Sequence, residues 1–279
     1  MDIGIHVSLW TPEWDSSFIN AIDYAADIGF NCVEIPLMNP KNLPISKISK
    51  LLLSRNLAVY CGTGLNPSTD IGSEDDSIRE NGIRHLLSCI KICHELGADS
   101  LGGVIHSPWG LKGKQSDRYF ANVIASLTLI AEEASKLSIT LALECINRYE
   151  NSFLNTVAQG LSLIQKVGKN NIGLHLDTYH MNIEEKNISQ AILQCGKHLK
   201  RFHLSENDRS YPGNGSLEWN TIIKAAKSAG FRGPWIIESY IDPNFPASSD
   251  VCVWRALEPD KMEALNQSLN FLKSLILSN

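Results

Sequence analysis

Residues 157–177 read VAQGLSLIQKVGKNNIGLHLD, and they contain the repeating unit of the whole chain. Val157–Val167 is an amphipathic run with helical spacing, and Gly168 stands where such a helix stops. A short polar step then leads into the β-like run Ile172–Asp177. The same phrase, with helix, glycine, polar step and strand in that order, returns at Asp27-Ile28-Gly29-Phe30 and at Ser228-Ala229-Gly230-Phe231.

Working outward from this unit, the chain predicts strands over Ile3–Ser8, Cys32–Pro36, Ala58–Cys61, Leu101–Ile105, Thr140–Glu144, Ile172–Asp177, Leu199–Leu204 and Trp235–Ser239. Helices are predicted over Phe18–Ile28, Ile78–Leu96, Tyr119–Leu137, Val157–Val167, Thr221–Ala229 and Met262–Leu277. In the second of these, Ile83, Leu86, Leu87, Ile90, Cys93 and Leu96 recur mostly at three- and four-residue steps. Strands that alternate with helices pair in parallel through crossovers. An open doubly wound sheet would carry a G-x-G-x-x-G after its first strand. Here that strand runs into Ser8-Leu9-Trp10-Thr11-Pro12. The expected fold is therefore α/β, a (β/α)8 TIM barrel forming a single domain over residues 1–279. The length agrees, since such barrels run to about 250 residues.

Composition narrows the function. An apolar fraction of 43% and a charged fraction of 20% are those of an ordinary soluble protein. No apolar run approaches the roughly 20 residues of a membrane helix, and MDIGIHVSLW lacks the basic start of a secretory signal. A net charge of −5 without a basic tract argues against nucleic acid as a partner. The odd number of cysteines, seven, and the lack of any C-x-x-C pair fit buried, reduced thiols and a cytoplasmic location.

Barrel enzymes place their chemistry at the C-terminal ends of the strands. Strand five ends at Glu144 and strand six at Asp177; strand seven carries His203 near its end, and strand eight ends at Glu238. The separations are 33, 26 and 35 residues, about one β/α unit each. Singly, each has a bland reading: an acid closing a strand is usually a helix cap, as Asp177 before Thr178 would be, and a lone histidine is usually a core residue. Four in consecutive strands point instead to a shared site. Three carboxylates and one imidazole suit one divalent ion per subunit, Mn²⁺ first, with Co²⁺ or Mg²⁺ as alternatives. His175, two residues before Asp177, is expected one layer deeper, as core or support for the ligands. His106 is read as a loop residue that either touches substrate or is structural.

The loops after these strands are distinctive. The segments ALECINRYE (142–150), LHLDTYHMNIEE (174–185), HLSENDRSYPGNG (203–215), WIIESY (235–240) and VSLWTPEW (7–14) together resemble the D-tagatose/D-psicose (allulose) 3-epimerase family of the xylose-isomerase-like barrels. The resemblance runs along nearly the whole chain in the same order. It implies that Glu144, Asp177, His203 and Glu238 are the metal ligands, and that Glu150, His180 and Arg209 contact a sugar. It further implies that Trp109 walls the site and that Trp14 lines the far end of the pocket. His6 stands where many relatives carry Tyr or Phe beside the distal part of the sugar. A homodimer or homotetramer is implied too.

The expected reaction is C3 epimerisation of a free 2-ketose of the D-fructose/D-psicose, D-tagatose/D-sorbose or L-ribulose type through a cis-enediolate. Glu144 and Glu238, on strands five and eight, are expected to carry protons on opposite faces of C3. The nearest alternatives on the same scaffold are enzymes of the hydroxypyruvate isomerase or inosose dehydratase type. A phosphosugar enzyme would need a phosphate cradle, and the eighth unit offers the acidic Ser239-Tyr240-Ile241-Asp242-Pro243 instead. An endonuclease-IV-like nuclease would need more metal ligands and a basic groove.

Overall fold

The computed structural model describes residues 1–10 and 18–278. All eight strands form: β1 (Ile3–His6), β2 (Cys32–Pro36), β3 (Ala58–Gly62), β4 (Ser100–Gly103), β5 (Thr140–Glu144), β6 (Ile172–Asp177), β7 (Leu199–Leu204) and β8 (Trp235–Ile237). They pair in parallel and in sequence order, and β8 closes on β1 to make a closed barrel. The helices are α1 (Phe18–Ile28), α2 (Ile45–Ser54), α3 (Asp76–Leu96), α4 (Asp117–Lys136), α5 (Val157–Val167), α6 (Thr178–Glu184), α7 (Ile188–Cys195), α8 (Trp219–Ser228), α9 (Pro246–Asp250) and α10 (Lys261–Ile276). Among the described residues no helix is long and apolar enough to cross a membrane.

Local chemistry sets the helix boundaries. Asp75 caps α3 by accepting from the Ser77 and Ile78 N–H groups, and Thr156 with Gln159 forms a capping box on α5. Gly97 and Gly168 end their helices with φ of 81° and 67°, a left-handed conformation that costs glycine little. α3 thus starts at Asp76, two residues before the predicted Ile78.

Three predicted strand ends and four connections need correction. β1 stops at His6, because Val7–Trp10 turn into a 3₁₀ helix. β4 covers Ser100–Gly103 rather than reaching Ile105, since Gly103 leaves the extended region with φ of 108°. β8 stops at Ile237 where its pairing with β1 ends, although the Glu238 N–H still donates to Leu204 O. The short helices α2, α6, α7 and α9 lie in stretches where no helix is predicted. In α6 the first turn begins directly at the strand end, so no polar step announces it.

Successive strand residues point to opposite faces. The outward set, including Val33, Ile35, Leu141, Leu143, Leu174, Leu176 and Phe202, packs with the helices in one large apolar cluster. Inside the barrel, Cys32, Tyr60 and Ile236 form a separate small apolar cluster. Above them the interior is polar, with Glu34, Arg201, His175, Glu144 and His203 all buried. Cys32, Cys61, Cys89, Cys93, Cys145 and Cys195 are buried free thiols.

Candidate active site

The rim of β5–β8 gathers four side chains. Glu144 closes β5, Asp177 closes β6, His203 is next to last in β7, and Glu238 directly follows β8. One ligand-competent atom from each lies within 4.8 Å of all the others. Glu144, Asp177 and His203 are buried, while Glu238 keeps 12% of its side chain exposed. Asp177 caps a helix and also faces the cluster. Its Oδ1 accepts from Tyr179 N at 2.7 Å and caps α6, while its Oδ2 faces the cluster, 3.2 Å from Arg209 Nη1.

The electrostatics of the cluster are those of crowded anions. Burial, reinforced by the charge of Glu238, raises the Glu144 carboxyl well above its usual range. Burial pushes Asp177 up to about 6, against the pull of Arg209. Burial also opposes ionisation of Glu238, but attraction to His203 overrides it and holds that carboxyl well below its usual range.

His203 Nδ1 lies 3.3 Å from Glu238 Oε2 and 3.9 Å from Glu144 Oε1, yet it is buried without a hydrogen-bond partner. An imidazole nitrogen facing three carboxylates, with no partner of its own, is the donor set of a hard divalent cation. The residues therefore fit such an ion.

His175 lies beneath the cluster, as the alternation of β6 predicts. It is fully buried, its Nδ1 is 3.7 Å from Glu144 Oε2, and its ring stands edge-on to His203 with centroids 3.9 Å apart. Glu144, His175 and His203 also meet the distance condition for a metal group. Burial, then the neighbouring charges of His203 and Arg201, keep His175 well below the usual histidine range. His106 settles as a support: its Nε2 donates to Glu144 O at 2.9 Å, and its ring stacks on Phe153.

Glu144, His203 and Glu238 share one cavity of about 330 Å³ with His6, Trp109, Glu150, His180 and Arg209. Asp177, fully buried, is not among the residues that line it. The cavity thus collects the predicted contact residues, except Trp14, which lies outside the described residues. Trp109 Nε1 donates to Glu150 Oε2 at 3.3 Å. His6 is buried at the wall, with Nδ1 2.5 Å from Ser8 Oγ and its ring 6.1 Å from that of His203.

The tautomer of His180 follows from its neighbours. Asn147 Oδ1 accepts from the N–H groups of Tyr149 and Glu150, so Asn147 Nδ2 is the atom 2.8 Å from His180 Nδ1. The Asn147 N–H also donates to Nδ1, at 3.2 Å. Nδ1 therefore accepts and the proton sits on Nε2. Burial, with Arg209 nearby, pushes this histidine down to about 3, so the ring is neutral. Its Nε2–H lies 3.2 Å from Arg209 Nη2, another donor. Both donors belong to residues that line the cavity.

The Arg209 backbone has φ of 74°, rare for a residue with a side chain. The loop that holds it is folded around Glu206. That buried carboxylate accepts from the N–H groups of Asn207, Gly213 and Leu217 and from Trp219 Nε1. Arg209 lies over the rings of Tyr179 and Tyr240, 4.1 and 5.2 Å from their centroids.

Sequence reading misses Glu34, Arg201 and Tyr240. Glu34 accepts from His203 Nε2 at 2.8 Å and from Arg201 Nη1 at 2.7 Å. Tyr240 OH reaches Glu238 Oε1 at 3.4 Å. A signal for the first two does exist: Glu34 in CVEIP and Arg201 in LKRFHL are charges inside strands that are otherwise fit for burial.

The comparisons with known proteins agree with this geometry. The xylose isomerase-like TIM barrel family matches residues 22–275. An L-ribulose 3-epimerase of Methylomonas sp. (strain DH-1) is 33% identical over 98% of this chain and 97% of its own. A ketose 3-epimerase of Arthrobacter globiformis is 35% identical over 94% of this chain and 92% of its own. The crystal structure of a Methylomonas sp. D-allulose 3-epimerase in complex with D-allulose superposes with a TM-score of 0.93 at 33% identity, covering 99% and 97% of the two chains. The fold, the clustered rim and these full-length relatives together make this chain a member of the ketose 3-epimerases within the xylose isomerase-like TIM barrel family.

Proposed function

We propose that this protein inverts C3 of free 2-ketoses, with Glu144 and Glu238 as the two proton carriers. The observation that carries this reading is the placement of those two carboxylates, from β5 and β8, in one cavity beside His180, Arg209 and Glu150. Glu144, Asp177, His203 and Glu238 would hold one divalent cation, with Mn²⁺ the first candidate and Co²⁺ or Mg²⁺ next. Bound there, such an ion supplies Lewis-acid polarisation of the ketose carbonyl, which acidifies the C3 proton.

Epimerisation needs a proton taken from one face of C3 and one returned to the other. One glutamate removes it as a general base, the electrons pass into a cis-enediolate, and the opposite glutamate, as its acid, delivers a proton to the other face. The substrate epimer decides which glutamate acts first. His180 Nε2–H and Arg209 donate to the oxygens at the O1–O2 end and oppose the charge that develops there. Glu150 stays ionised despite its burial, because Arg209 and the hydrogen bonds from Asn147 and Trp109 hold its carboxyl below the usual range, and it accepts from sugar hydroxyls. Trp109 and His6 form walls. Mn²⁺ as the resident ion, a homodimer or homotetramer, and a cytoplasmic setting are parts of the same proposal.

The test is a panel of free 2-ketoses, including D-fructose, D-tagatose, D-psicose and L-ribulose, assayed with Mn²⁺ and with chelator. Products are identified by stereochemistry. C3 epimers that form with Mn²⁺ and vanish with chelator are expected; aldoses as products, or no turnover of any ketose, would overturn the reading.

A further inference from the structure

Below the rim the barrel interior carries an ion pair where layered aliphatic side chains are usual. Glu34 of β2 and Arg201 of β7 are both fully enclosed. Arg201 Nη1 donates to Glu34 Oε1 and to Cys61 O, each at 2.7 Å, and Nη2 donates to Ser100 Oγ at 3.0 Å and lies 3.3 Å from Ser100 O. Two glycines make the space: a Cβ on Gly62 would meet Glu34 Oε1 at 2.5 Å, and one on Gly102 would meet Arg201 Nη1 at 2.5 Å. The other oxygen, Glu34 Oε2, lies 2.8 Å from His203 Nε2.

We infer that Glu34 is a positioning residue for His203: it keeps the imidazole proton on Nε2 and turns an unprotonated Nδ1 toward the carboxylate cluster, while Arg201 fixes which Glu34 oxygen does so. The inference rests on the reading that the cluster holds a divalent cation. Arg201 has no acceptor, so only an oxygen of residue 34 can face it. With a carboxylate, the second oxygen is also an acceptor, and His203 Nε2 must donate. In the neutral ring the lone pair then lies on Nδ1, the ring atom that has no hydrogen-bond partner and faces Glu144 and Glu238. Partners of this kind orient ligating histidines and set their tautomer.

Glu34→Gln makes a specific case. Its amide oxygen must still face Arg201, so its NH₂ group faces His203 Nε2, which now has to accept. The His203 proton moves to Nδ1, and the ring can no longer offer that nitrogen to a cation. The substitution keeps the size of the side chain, so a purely structural role for Glu34 would leave cation affinity almost unchanged.

The experiment measures Mn²⁺ affinity by competition with a chelator, for wild type, Glu34→Gln and His203→Ala. Far-ultraviolet circular dichroism checks the fold. Affinity is expected to fall about 10–100-fold in Glu34→Gln, and long-range ¹⁵N NMR of the histidines should show the His203 proton on Nδ1. A folded Glu34→Gln that binds Mn²⁺ within about threefold of wild type would overturn the inference. If the variant does not fold, wild type loaded with diamagnetic Mg²⁺ decides: His203 must be protonated on Nε2, and protonation on Nδ1 refutes the inference. Wild type that binds no more Mn²⁺ than His203→Ala would instead bring down the metal-site reading itself.

Discussion

Glu144 and Glu238 share the rim, but their surroundings push them apart. Burial and the neighbouring anion raise Glu144, while attraction to His203 outweighs burial at Glu238 and lowers it. Replacing either by glutamine removes its proton transfer and retains its bulk, so kcat is expected to fall by about 10²–10⁴-fold in each variant. Retention of more than about a tenth of wild-type turnover in either one would reject the pairing. The four rim donors were legible in the sequence because each breaks an apolar run at a strand end. Glu34 and Arg201 break strands too, but in mid-run, where a single charge has no partner within its own segment. Their meeting depends on the closure of β2 and β7 around a common interior, which no local pattern encodes. His175 was legible in direction from its alternation with Asp177. Its approach to Glu144 depends on the β5–β6 register that sets Glu144 opposite His175.

At the scale of elements, the segment between β7 and α8 is organised by one carboxylate. Glu206 gathers three backbone N–H groups and the Trp219 indole N–H, so the turn that carries Arg209 is built on a side chain rather than on a ladder. Glu206→Ala leaves these donors unsatisfied in a buried place and should destabilise the fold by at least about 2 kcal/mol. It should also raise KM for the ketose as Arg209 loses its fixed position. A shift of the urea midpoint with unchanged slope, together with steady-state kinetics, checks both parts; an unaltered midpoint would refute the organising role. Strands and long helices were legible because period and glycine stops agree, as in residues 157–177. α6 was not, since Asp177 serves β6 and caps α6 at once and leaves no connecting step between them. α2 does carry helical spacing in Ile48 and Leu52, and Pro44 before it marks its start. α9 spans only five residues and has too few positions to show a period.

Across the whole molecule, the rim cluster ties the ends of β5, β6, β7 and β8 to one point. A cation that binds there and not to the unfolded chain stabilises the barrel by mass action. At 100 times its Kd, Mn²⁺ should add about 2.7 kcal/mol and raise Tm by about 5 °C. Calorimetry with Mn²⁺ and with excess chelator measures this, and identical Tm values in the two conditions would contradict it. The barrel also divides its labour. The four rim donors come from β5–β8, whereas Pro36, Met38, Gly62, Thr63, Gly64, Leu65, Asn66 and Pro67, from β2, β3 and the segments after them, line the cavity opposite. The Glu34–Arg201 pair bridges the two halves. A chimera that inherits its halves from different parents has to inherit both partners of that pair, or it carries an unmatched charge at the centre of its barrel.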